Sequence, residues 1–276
     1  MKTKKRNILL LFISSLMFIF VLSCENPLDP ERPNYVLTWS DEFEGPAGQS
    51  PNASNWTYDI GKCENGWGNE ELQSYTDKPE NISLDGDGNL AITAIEETPG
   101  SYIFTSARIK TQGLFEQKYG RFEARIKLPY GPGIWPAFWM LGSDIDTNPW
   151  PECGEIDIME FRGQETNLIH GTVHGPGYSG GLSITKSYGL EAGRFDTDFY
   201  TYAVEWEEGY IRFFVNDVLY NEITESDVTG NWVFNKPFFL LLNLAVGGNY
   251  LPNPAGNTPF PQTMLVDYVR VYKEMK

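Results

Sequence analysis

The sequence predicts an all-β fold, a β-sandwich built from many short strands. Apolar side chains recur with a period of two in several segments, and glycine, proline and asparagine separate these segments. No convincing long amphipathic helix and no repeat of fixed period interrupts this pattern. The chain has 276 residues, of which 41% are hydrophobic, which is enough for one well-packed domain.

Three segments predict strands that are apolar on one face. Residues 89–95 are apolar and rich in β-formers, and they follow the glycine-containing turn at 85–88. Residues 121–128 alternate strictly between apolar and mostly charged side chains, and residues 266–272 close the chain with a similar alternation. Because successive side chains of a strand point to opposite faces, this pattern places the apolar side chains on one face of the strand and the charged side chains on the other.

Two further segments predict a hairpin and a fully buried strand. Residues 210–215 and 218–223 flank Asn216 and Asp217, a pair that suits a two-residue hairpin turn. Residues 238–246 are almost continuously apolar, as expected of a strand that is covered on both faces. Together with the three alternating segments, they predict a two-layer β fold.

The first 35 residues predict a targeting segment followed by a tether. Basic residues precede the apolar run 8–22, which is too short to span a bilayer comfortably. The run ends in Val-Leu-Ser-Cys, which resembles a loose lipobox of bacterial lipoproteins and implies cleavage before Cys24 and lipidation of that cysteine. An ordinary cleaved signal peptide or an uncleaved anchor are the alternatives. We expect a lipoprotein signal peptide at 1–23, the lipidated cysteine and a tether at 24–35, and one domain at 36–276.

The charge of the chain limits its partners and its location. The net charge is −16 with a pI near 4.5, which disfavours nucleic acid, anionic membranes and anionic polysaccharides. We expect a monomer that contacts the membrane only through its lipid, outside the cytoplasm, at the outer membrane or surface of a bacterium. In that oxidising setting Cys63 and Cys153 are able to pair if their geometry permits, which sequence leaves open.

The most informative stretch is a cluster of acids, Glu155, Asp157 and Glu160, in an otherwise apolar strand sequence. Glu155 and Asp157 share a face of a regular strand, whereas Glu160 would point the other way. One extra residue in a β-bulge around Ile158-Met159 returns Glu160 to the same face. The sequence therefore predicts three carboxylates in a row on one side of a strand.

Crowded carboxylates are unfavourable at neutral pH, and retaining glycoside hydrolysis gives a reason for them. That reaction uses a nucleophilic carboxylate and an acid/base carboxyl group about 5–5.5 Å apart. Repulsion and burial raise the pKa of the acid, which must stay protonated. A solvated acidic face would alternate with polar residues instead of Ile and Met, and a calcium site usually draws its ligands from a loop. The cluster therefore predicts a catalytic site.

The chain is similar to glycoside hydrolase family 16, in the bulged form typical of laminarinases. The similarity extends in order over nearly all of 36–273. The matching segments are WSDEF (39–43), GWGNEEL (66–72), SARI (106–109), YGRFEA (119–124), GIWPAFWML (133–141), GEIDIMEF (154–161), HGTVH (170–174), LNLAVGG (242–248), FPQ (260–262) and VDYVRVY (266–272).

This resemblance implies a concanavalin-like jelly-roll β-sandwich with a concave cleft. It implies Glu155 as nucleophile, Asp157 as its assistant and Glu160 as acid/base. The implied activity is retaining endo-hydrolysis of β-1,3-glucan (laminarin) or mixed-linkage β-1,3/1,4-glucan by double displacement, with a neutral β-glucan as the partner. The alternatives are hydrolysis of marine galactans (agar, carrageenan, porphyran), transglycosylation, and a non-catalytic jelly roll that only binds glycan.

Further residues are expected to contact sugar. Indole rings suit the apolar faces of glucose, an arginine offers a forked donor, and the resemblance places a glycine-rich loop over the non-reducing half of the cleft. The two histidines share a strand face, but no third ligand supports zinc. The expected sugar contacts are Trp135, Trp139, His174, Arg108, Asn69, Trp67, Glu70 and Gln262.

A structural calcium ion on the convex side is also implied by the resemblance, while catalysis itself needs no cofactor. Asp267 matches the usual side-chain ligand, and carbonyl groups near Glu42 and Gly86 would complete the site. Read without the resemblance, Asp267 is only a polar residue of an alternating strand.

Overall fold

The computed structural model of the chain describes residues 34–101 and 103–275. The predicted signal peptide and the lipidated Cys24 therefore lie outside the described residues, as does most of the tether. Within the described residues, no helix has the length and apolar character needed to cross a membrane.

Strands dominate the described residues, with short helical turns at Gly66–Glu70, Gly180–Leu182 and Glu225–Asp227. The strands are β1 (Tyr35–Asp41), β2 (Thr57–Asp59), β3 (Gln73–Tyr75), β4 (Ile82–Leu84), β5 (Leu90–Glu96), β6 (Phe104–Ser106), β7 (Arg108–Lys110), β8 (Gly120–Lys127), β9 (Ile134–Gly142), β10 (Glu155–Glu160), β11 (Leu168–His174), β12 (Ile184–Gly189), β13 (Tyr200–Glu207), β14 (Tyr210–Val215), β15 (Val218–Thr224), β16 (Phe238–Val246) and β17 (Gln262–Glu274).

The strands form two sheets. The ten-stranded sheet has the order β15-β14-β13-β8-β17-β5-β6-β3, with β1 beside β17 and β4 beside β5. The seven-stranded sheet has the order β12-β11-β10-β9-β16-β7-β2. Neighbours such as β8 and β17, or β9 and β16, are far apart in sequence, so the chain crosses repeatedly between the sheets. The predicted all-β sandwich is confirmed, and β10 lies in the middle of its smaller sheet.

The core fills the space between the sheets, and the predicted alternation supplies it. In β8 the side chains of Phe122, Ala124 and Ile126 are fully buried in this core. Every residue of β16 is buried, as the apolar run predicted. Its second face is covered by smaller apolar clusters, in which Phe239 and Leu241 pack with Leu141 and Ala245 packs with Trp135. Full burial of a large apolar side chain stabilises the fold by roughly 1.5–3 kcal/mol.

The predicted hairpin and cysteine states are also visible. Asn216 and Asp217 have φ angles of 46° and 63°, the left-handed conformation of a two-residue turn between β14 and β15. Cys63 is exposed and Cys153 is buried, and both are free thiols. The disulfide that sequence left open is therefore not formed.

Candidate active site

A cleft of about 870 Å³ lies on the open face of the seven-stranded sheet. Most of the side chains expected to act on or contact sugar line this cleft, although they come from strands and loops that are distant in sequence. They are Trp67, Asn69, Arg108, Trp135, Trp139, Glu155, Asp157, Glu160 and His174. Glu70 and Gln262 do not belong to this lining.

The three acids, called here the carboxylate trio (Glu155, Asp157 and Glu160), lie together on the cleft face of β10. Opposite β9, the register changes between Asp157 and Met159, so Ile158 is an extra residue in a β-bulge. The predicted bulge is confirmed, and it places Glu160 on the same face as the other two acids. The side chains between them are buried in the core.

Burial governs the protonation of the trio. Loss of hydration raises the pKa of Glu155 to about 8, and the nearby Asp157 adds to this rise. Burial likewise raises the pKa of Glu160 to about 7 and holds the pKa of Asp157 well above its usual range. Because charged carboxylates in a dry, crowded site repel one another, the trio retains protons near neutral pH.

His174 lies across the sheet from Glu155 and completes this end of the site. Its Nε2 is 3.2 Å from Asp157 Oδ2 and 3.8 Å from Glu155 Oε1. The backbone N–H of Gly180 donates to Nδ1 at 3.1 Å, so the proton of a neutral ring is assigned to Nε2. The three side chains are close enough to share a metal ion, and this tautomer places the Nε2 proton on the side of the ring that faces the carboxylates. His174 therefore contacts the trio directly.

Trp135 contacts Glu160, at the other end of the trio. Its indole Nε1 donates to Glu160 Oε1 at 3.1 Å, and its ring packs against Tyr250 with centroids 4.9 Å apart. Only 9% of Trp135 is accessible, which leaves little ring face for a sugar. The structure thus gives the indole a second role that sequence did not predict, as a donor to the expected acid/base group.

Arg108 lies between two aromatic rings on the side of the cleft formed by β7 and β9. Its guanidinium carbon is 4.9 Å from the ring centroid of Trp67 and 4.7 Å from that of Trp139. Its Nε forms an ion pair with Asp59 Oδ2 at 2.8 Å. Trp139 Nε1 donates to Asn243 Oδ1 at 2.7 Å. This stack holds two indoles and a forked donor rigidly at the cleft wall.

The glycine-rich loop corrects one residue. Trp67 and Glu70 both have a φ of 57°, and these left-handed residues reverse the chain within the turn. Glu70 consequently faces solvent outside the cleft, while Glu71 is 5% exposed and lines it. The Glu71 carboxylate accepts hydrogen bonds from Gln73 Nε2 and Tyr75 OH. In the structure it is therefore Glu71, the next residue along the chain, and not Glu70 that lines the cleft.

Gln262, also expected to contact sugar, is not among the residues that line the cleft. It begins β17 in the ten-stranded sheet, where it pairs with Ala94. Its Oε1 accepts a hydrogen bond from the backbone N–H of Tyr130 at 2.9 Å. This amide therefore joins two chain segments away from the cleft lining, so we assign it a structural role.

Several residues that line the cleft were not predicted from the sequence. Trp150 is 44% exposed, its ring centroid lies 6.0 Å from that of His174, and its indole lies near the Glu155 carboxyl group and lowers the pKa of that group. Arg162 and Tyr250 line the cleft beside Glu160. Trp150 could have been predicted from the sequence, because a large aromatic residue followed by proline, Trp150-Pro151, stands just before the trio. Tyr250 lies in a loop whose sequence has no such pattern.

The predicted calcium ligands already have protein partners. The Asp267 carboxylate pairs with Arg125 through Oδ2, and the Glu42 carboxylate pairs with Arg270 through both of its oxygens. Asp267 is also the extra residue where the register of β17 shifts against β8. A cation at this place would have to share the Asp267 carboxylate with Arg125 and take carbonyl oxygens near Glu42 and Gly86.

Comparisons with known proteins agree with this geometry. The family model described as glycosyl hydrolases family 16 matches residues 63–269. A beta-glucanase of Rhodothermus marinus is 40% identical over 253 residues, covering 88% of this chain and 87% of that protein. Glucan endo-1,3-beta-glucosidase A1 of Niallia circulans is 37% identical, covering 92% of this chain but 40% of that longer protein.

Solved structures show the same architecture. The laminarinase catalytic domain from Thermotoga maritima superimposes with a TM-score of 0.81 and 44% identity, covering 88% of this chain and 99% of that chain. The predicted jelly-roll β-sandwich with a concave cleft is thereby confirmed.

Proposed function

The chain belongs to glycosyl hydrolase family 16, and on that premise we propose that it is an endo-β-glucanase that cleaves β-1,3-glucosidic bonds with retention of configuration. The observation that carries the proposal is the carboxylate trio, which the bulge of β10 holds on one face in the cleft. Side chains line the cleft on both sides of the trio, so sugar units can bind on either side of the cleaved bond. Such binding suits attack within a polymer.

In the first half-reaction the Glu155 carboxylate attacks C1 of the sugar in the subsite before the cleaved bond. Glu160 donates its proton to the glycosidic oxygen as the C1–O bond breaks, and a glycosyl ester with Glu155 forms. In the second half-reaction Glu160 removes a proton from water, the water oxygen attacks C1, and the ester bond to Glu155 breaks. Two inversions at C1 give net retention.

The pKa values explain how Glu160 can serve as acid and then as base. Burial and the charge of Glu155 raise the pKa of Glu160, which favours the protonated acid before attack. Esterification removes the charge of Glu155, so the pKa of Glu160 falls and the group can accept a proton. Because the pKa of Glu155 is itself raised, attack requires its proton to move to Asp157, with which it shares a hydrogen bond. The Nε2–H of His174 can stabilise the resulting Glu155 carboxylate.

Neutral β-glucan is the substrate that the cleft fits best. The wall of Trp67, Arg108 and Trp139 offers apolar faces and forked donors to hydroxyl groups. The net charge of −16 opposes sulfated or carboxylated polymers. We therefore favour laminarin or mixed-linkage β-1,3/1,4-glucan over the galactans.

A reducing-sugar assay on the purified protein tests this proposal. Laminarin, barley mixed-linkage glucan, carboxymethyl-cellulose, agarose and carrageenan are compared side by side, with the Glu155→Gln variant as the inactive control. Release from laminarin or barley glucan supports the glucanase, and their ratio gives the linkage preference. Release only from a galactan would overturn the substrate, and a folded protein that is silent on every polymer would indicate a glycan-binding module.

We also propose that the protein is a lipid-anchored monomer outside the cytoplasm, supported by the lipobox-like sequence that ends at Cys24. Metabolic labelling with an alkyne-tagged fatty acid should mark the wild-type chain and leave Cys24→Ser unlabelled. Light scattering on the detergent-solubilised chain should give the mass of one copy. Labelling of both chains, or a dimer mass, would contradict the proposal.

A structural calcium ion at Asp267 stays a prediction. Asp267 Oδ1 and the carbonyl oxygens near Glu42 and Gly86 are the groups that would hold it, and its contribution would be to the stability of the convex sheet. Calcium is expected to raise the melting temperature of the EDTA-treated wild type but not that of Asp267→Asn. An equal effect on both proteins would place the ion elsewhere.

A further inference from the structure

A group of polar side chains beside Glu160 has no role in the chemistry above. It consists of Arg162, Glu165, His170 and Tyr250, and it is called here the Arg162 cluster. The guanidinium carbon of Arg162 lies 4.1 Å from the centroid of the Tyr250 ring. Arg162 Nη1 is 3.6 Å from Glu165 Oε1, and His170 Nε2 is 3.7 Å from Glu165 Oε2. The aromatic ring and the carboxylate together hold the guanidinium in one orientation.

Two nitrogen atoms of the Arg162 cluster are buried without a close hydrogen bond to protein. Among the described residues, Arg162 Nε makes no hydrogen bond, and His170 Nε2 has only the 3.7 Å contact with Glu165 Oε2, although both side chains line the cleft. His170 is only 7% exposed, and its other nitrogen lies 2.8 Å from Ser187 Oγ, which fixes the ring. Because buried polar atoms are nearly always satisfied in native proteins, these atoms indicate a ligand with hydrogen-bonding groups.

The position of the Arg162 cluster relative to the trio identifies which part of the substrate it meets. His170 is the cross-strand neighbour of Glu160, whereas His174 is the neighbour of Glu155. In the proposed reaction Glu155 attacks C1 from one side, and the leaving oxygen departs towards Glu160 on the other. The sugar that leaves must therefore extend past Glu160, where the Arg162 cluster lies.

We propose that the Arg162 cluster is a subsite for the sugar unit on the leaving-group side of the cleaved bond, with Arg162 as its main hydroxyl donor. This inference rests on the proposed function and adds a specificity-determining residue to it. A planar guanidinium offers several N–H groups in a fixed fork, which fits neighbouring hydroxyl groups of a pyranose. The carboxylates of Glu165 and Glu160 offset the charge of Arg162, so a neutral sugar is favoured over a sulfated or carboxylated one.

The same subsite would receive an acceptor sugar in transglycosylation. Once the glycosyl ester has formed and the first leaving sugar has gone, a hydroxyl group of a second sugar can attack C1. The C1–O bond to Glu155 then breaks, and the hydroxyl proton passes to Glu160. Arg162 is therefore expected to affect how well acceptor sugars compete with water.

Substitution of Arg162 separates this role from an electrostatic effect on Glu160. Arg162→Met removes both the charge and the fork, while Arg162→Lys keeps a charge near Glu160 but loses the fork. Each variant is assayed on laminaritetraose, which has a sugar leaving group, and on 4-methylumbelliferyl β-laminaribioside, which does not. A matched control, Arg108→Met, removes a guanidinium from the opposite wall of the cleft.

Both Arg162 variants are expected to lower kcat/KM on the tetraose roughly 10- to 100-fold relative to the aryl substrate, the range for losing hydrogen bonds to a charged donor. Arg108→Met should lower kcat/KM by a similar factor on both substrates. Arg162 variants should also need a higher laminaribiose concentration to divert the glycosyl ester from water. Full recovery of the tetraose preference in Arg162→Lys, or equal losses on both substrates, would overturn the inference. A wild type inactive on both substrates would instead overturn the proposed function.

Discussion

The two sheets each bury a group of carboxylates, but they treat them differently. On the ten-stranded sheet Arg121 lies among three acids, with ion pairs of 2.8 Å to Glu123, 3.1 Å to Glu205 and 2.8 Å to Asp217. These four residues are called here the Arg121 cluster. On the seven-stranded sheet the carboxylate trio has His174 as its only ion-pair partner within 4 Å in the described part of the chain. Nearby carboxylates raise the pKa of Arg121, so it stays charged.

This difference separates a structural cluster from a chemical one. A buried cation forms ion pairs with the carboxylates, and these pairs take part in holding strands together. Without such a cation, burial raises the pKa values of the carboxyl groups, and they exchange protons near neutral pH. Clustered acids in a β-strand therefore indicate catalysis when no arginine or lysine forms an ion pair with them. The predictions below test this comparison.

The largest expected effect is on activity at the trio. Glu155→Ala should lower kcat on laminarin by roughly 10⁴-fold or more, because no ester can form. Glu160→Ala should lower kcat on laminarin by roughly 10²- to 10⁴-fold. Azide should rescue both variants, giving an α-glycosyl azide with Glu155→Ala and a β-glycosyl azide with Glu160→Ala, as measured by NMR. Glu123→Ala is the control from the other cluster, and a comparable loss of chemistry there would break the distinction.

The next effect is on stability at the other cluster. Arg121→Met leaves Glu123 and Glu205 buried without their cation, and we expect a loss of about 3–5 kcal/mol in the free energy of unfolding. Arg125→Met is the matched control, since its ion pair with Asp267 is more exposed, with 39% and 34% of the two side chains accessible, and should contribute less. Urea unfolding measures both variants. Equal losses of unfolding free energy in the two variants would show that the buried ion pairs of the Arg121 cluster stabilise the protein no more than the exposed pair does.

Removing a carboxyl group from the trio should stabilise the protein at neutral pH. The raised pKa of Glu160 means that folding favours its protonated form, so this stability is present below pH about 4.5 and is lost as pH rises through about 7. Glu160→Gln avoids that loss, and we expect a gain on the order of 2 kcal/mol at pH 8 that disappears near pH 4. Urea unfolding at both pH values measures it. A gain independent of pH would contradict this cause.

The smallest expected effect is on the pH dependence of kcat/KM. Because Glu160 must donate a proton, kcat/KM on laminarin should fall as pH rises through about 7. On the acid side, kcat/KM should fall as the last negative charge of the trio is lost. The profile should be unchanged in Glu123→Gln if that variant folds, because the Arg121 cluster lies on the other sheet. A basic limb far above pH 9 would place the acid elsewhere.

Local pattern predicted the parts of the molecule that depend on neighbouring residues in the chain. The trio, its bulge at Ile158, the turn at Asn216-Asp217 and the buried strand β16 all follow from alternation and turn chemistry. That Glu71 instead of Glu70 lines the cleft was not predicted, because four residues with positive φ interrupt the alternation within one turn: Gly66, Trp67, Gly68 and Glu70.

Features that depend on contacts between residues far apart in the chain could not be predicted, for a different reason. Which sheet receives Gln262, and which indole reaches Glu160, depend on strand pairing between residues far apart in the chain. Arg162 and Tyr250 meet only because β10 and the loop after β16 come together at the cleft. A single sequence carries no local signal of such contacts, so the leaving-group side of the site became visible only in the folded structure.

The most direct test of the account is to identify the residue that becomes glycosylated. The wild-type protein is treated with 2-deoxy-2-fluoro-β-laminaribiosyl fluoride, a slow substrate whose ester intermediate accumulates, and the labelled peptide is sequenced by mass spectrometry. The account predicts one adduct per chain, on Glu155, and none in Glu155→Gln. An adduct on Asp157, Glu160 or any other residue, or turnover of laminarin with inversion of configuration, would contradict it.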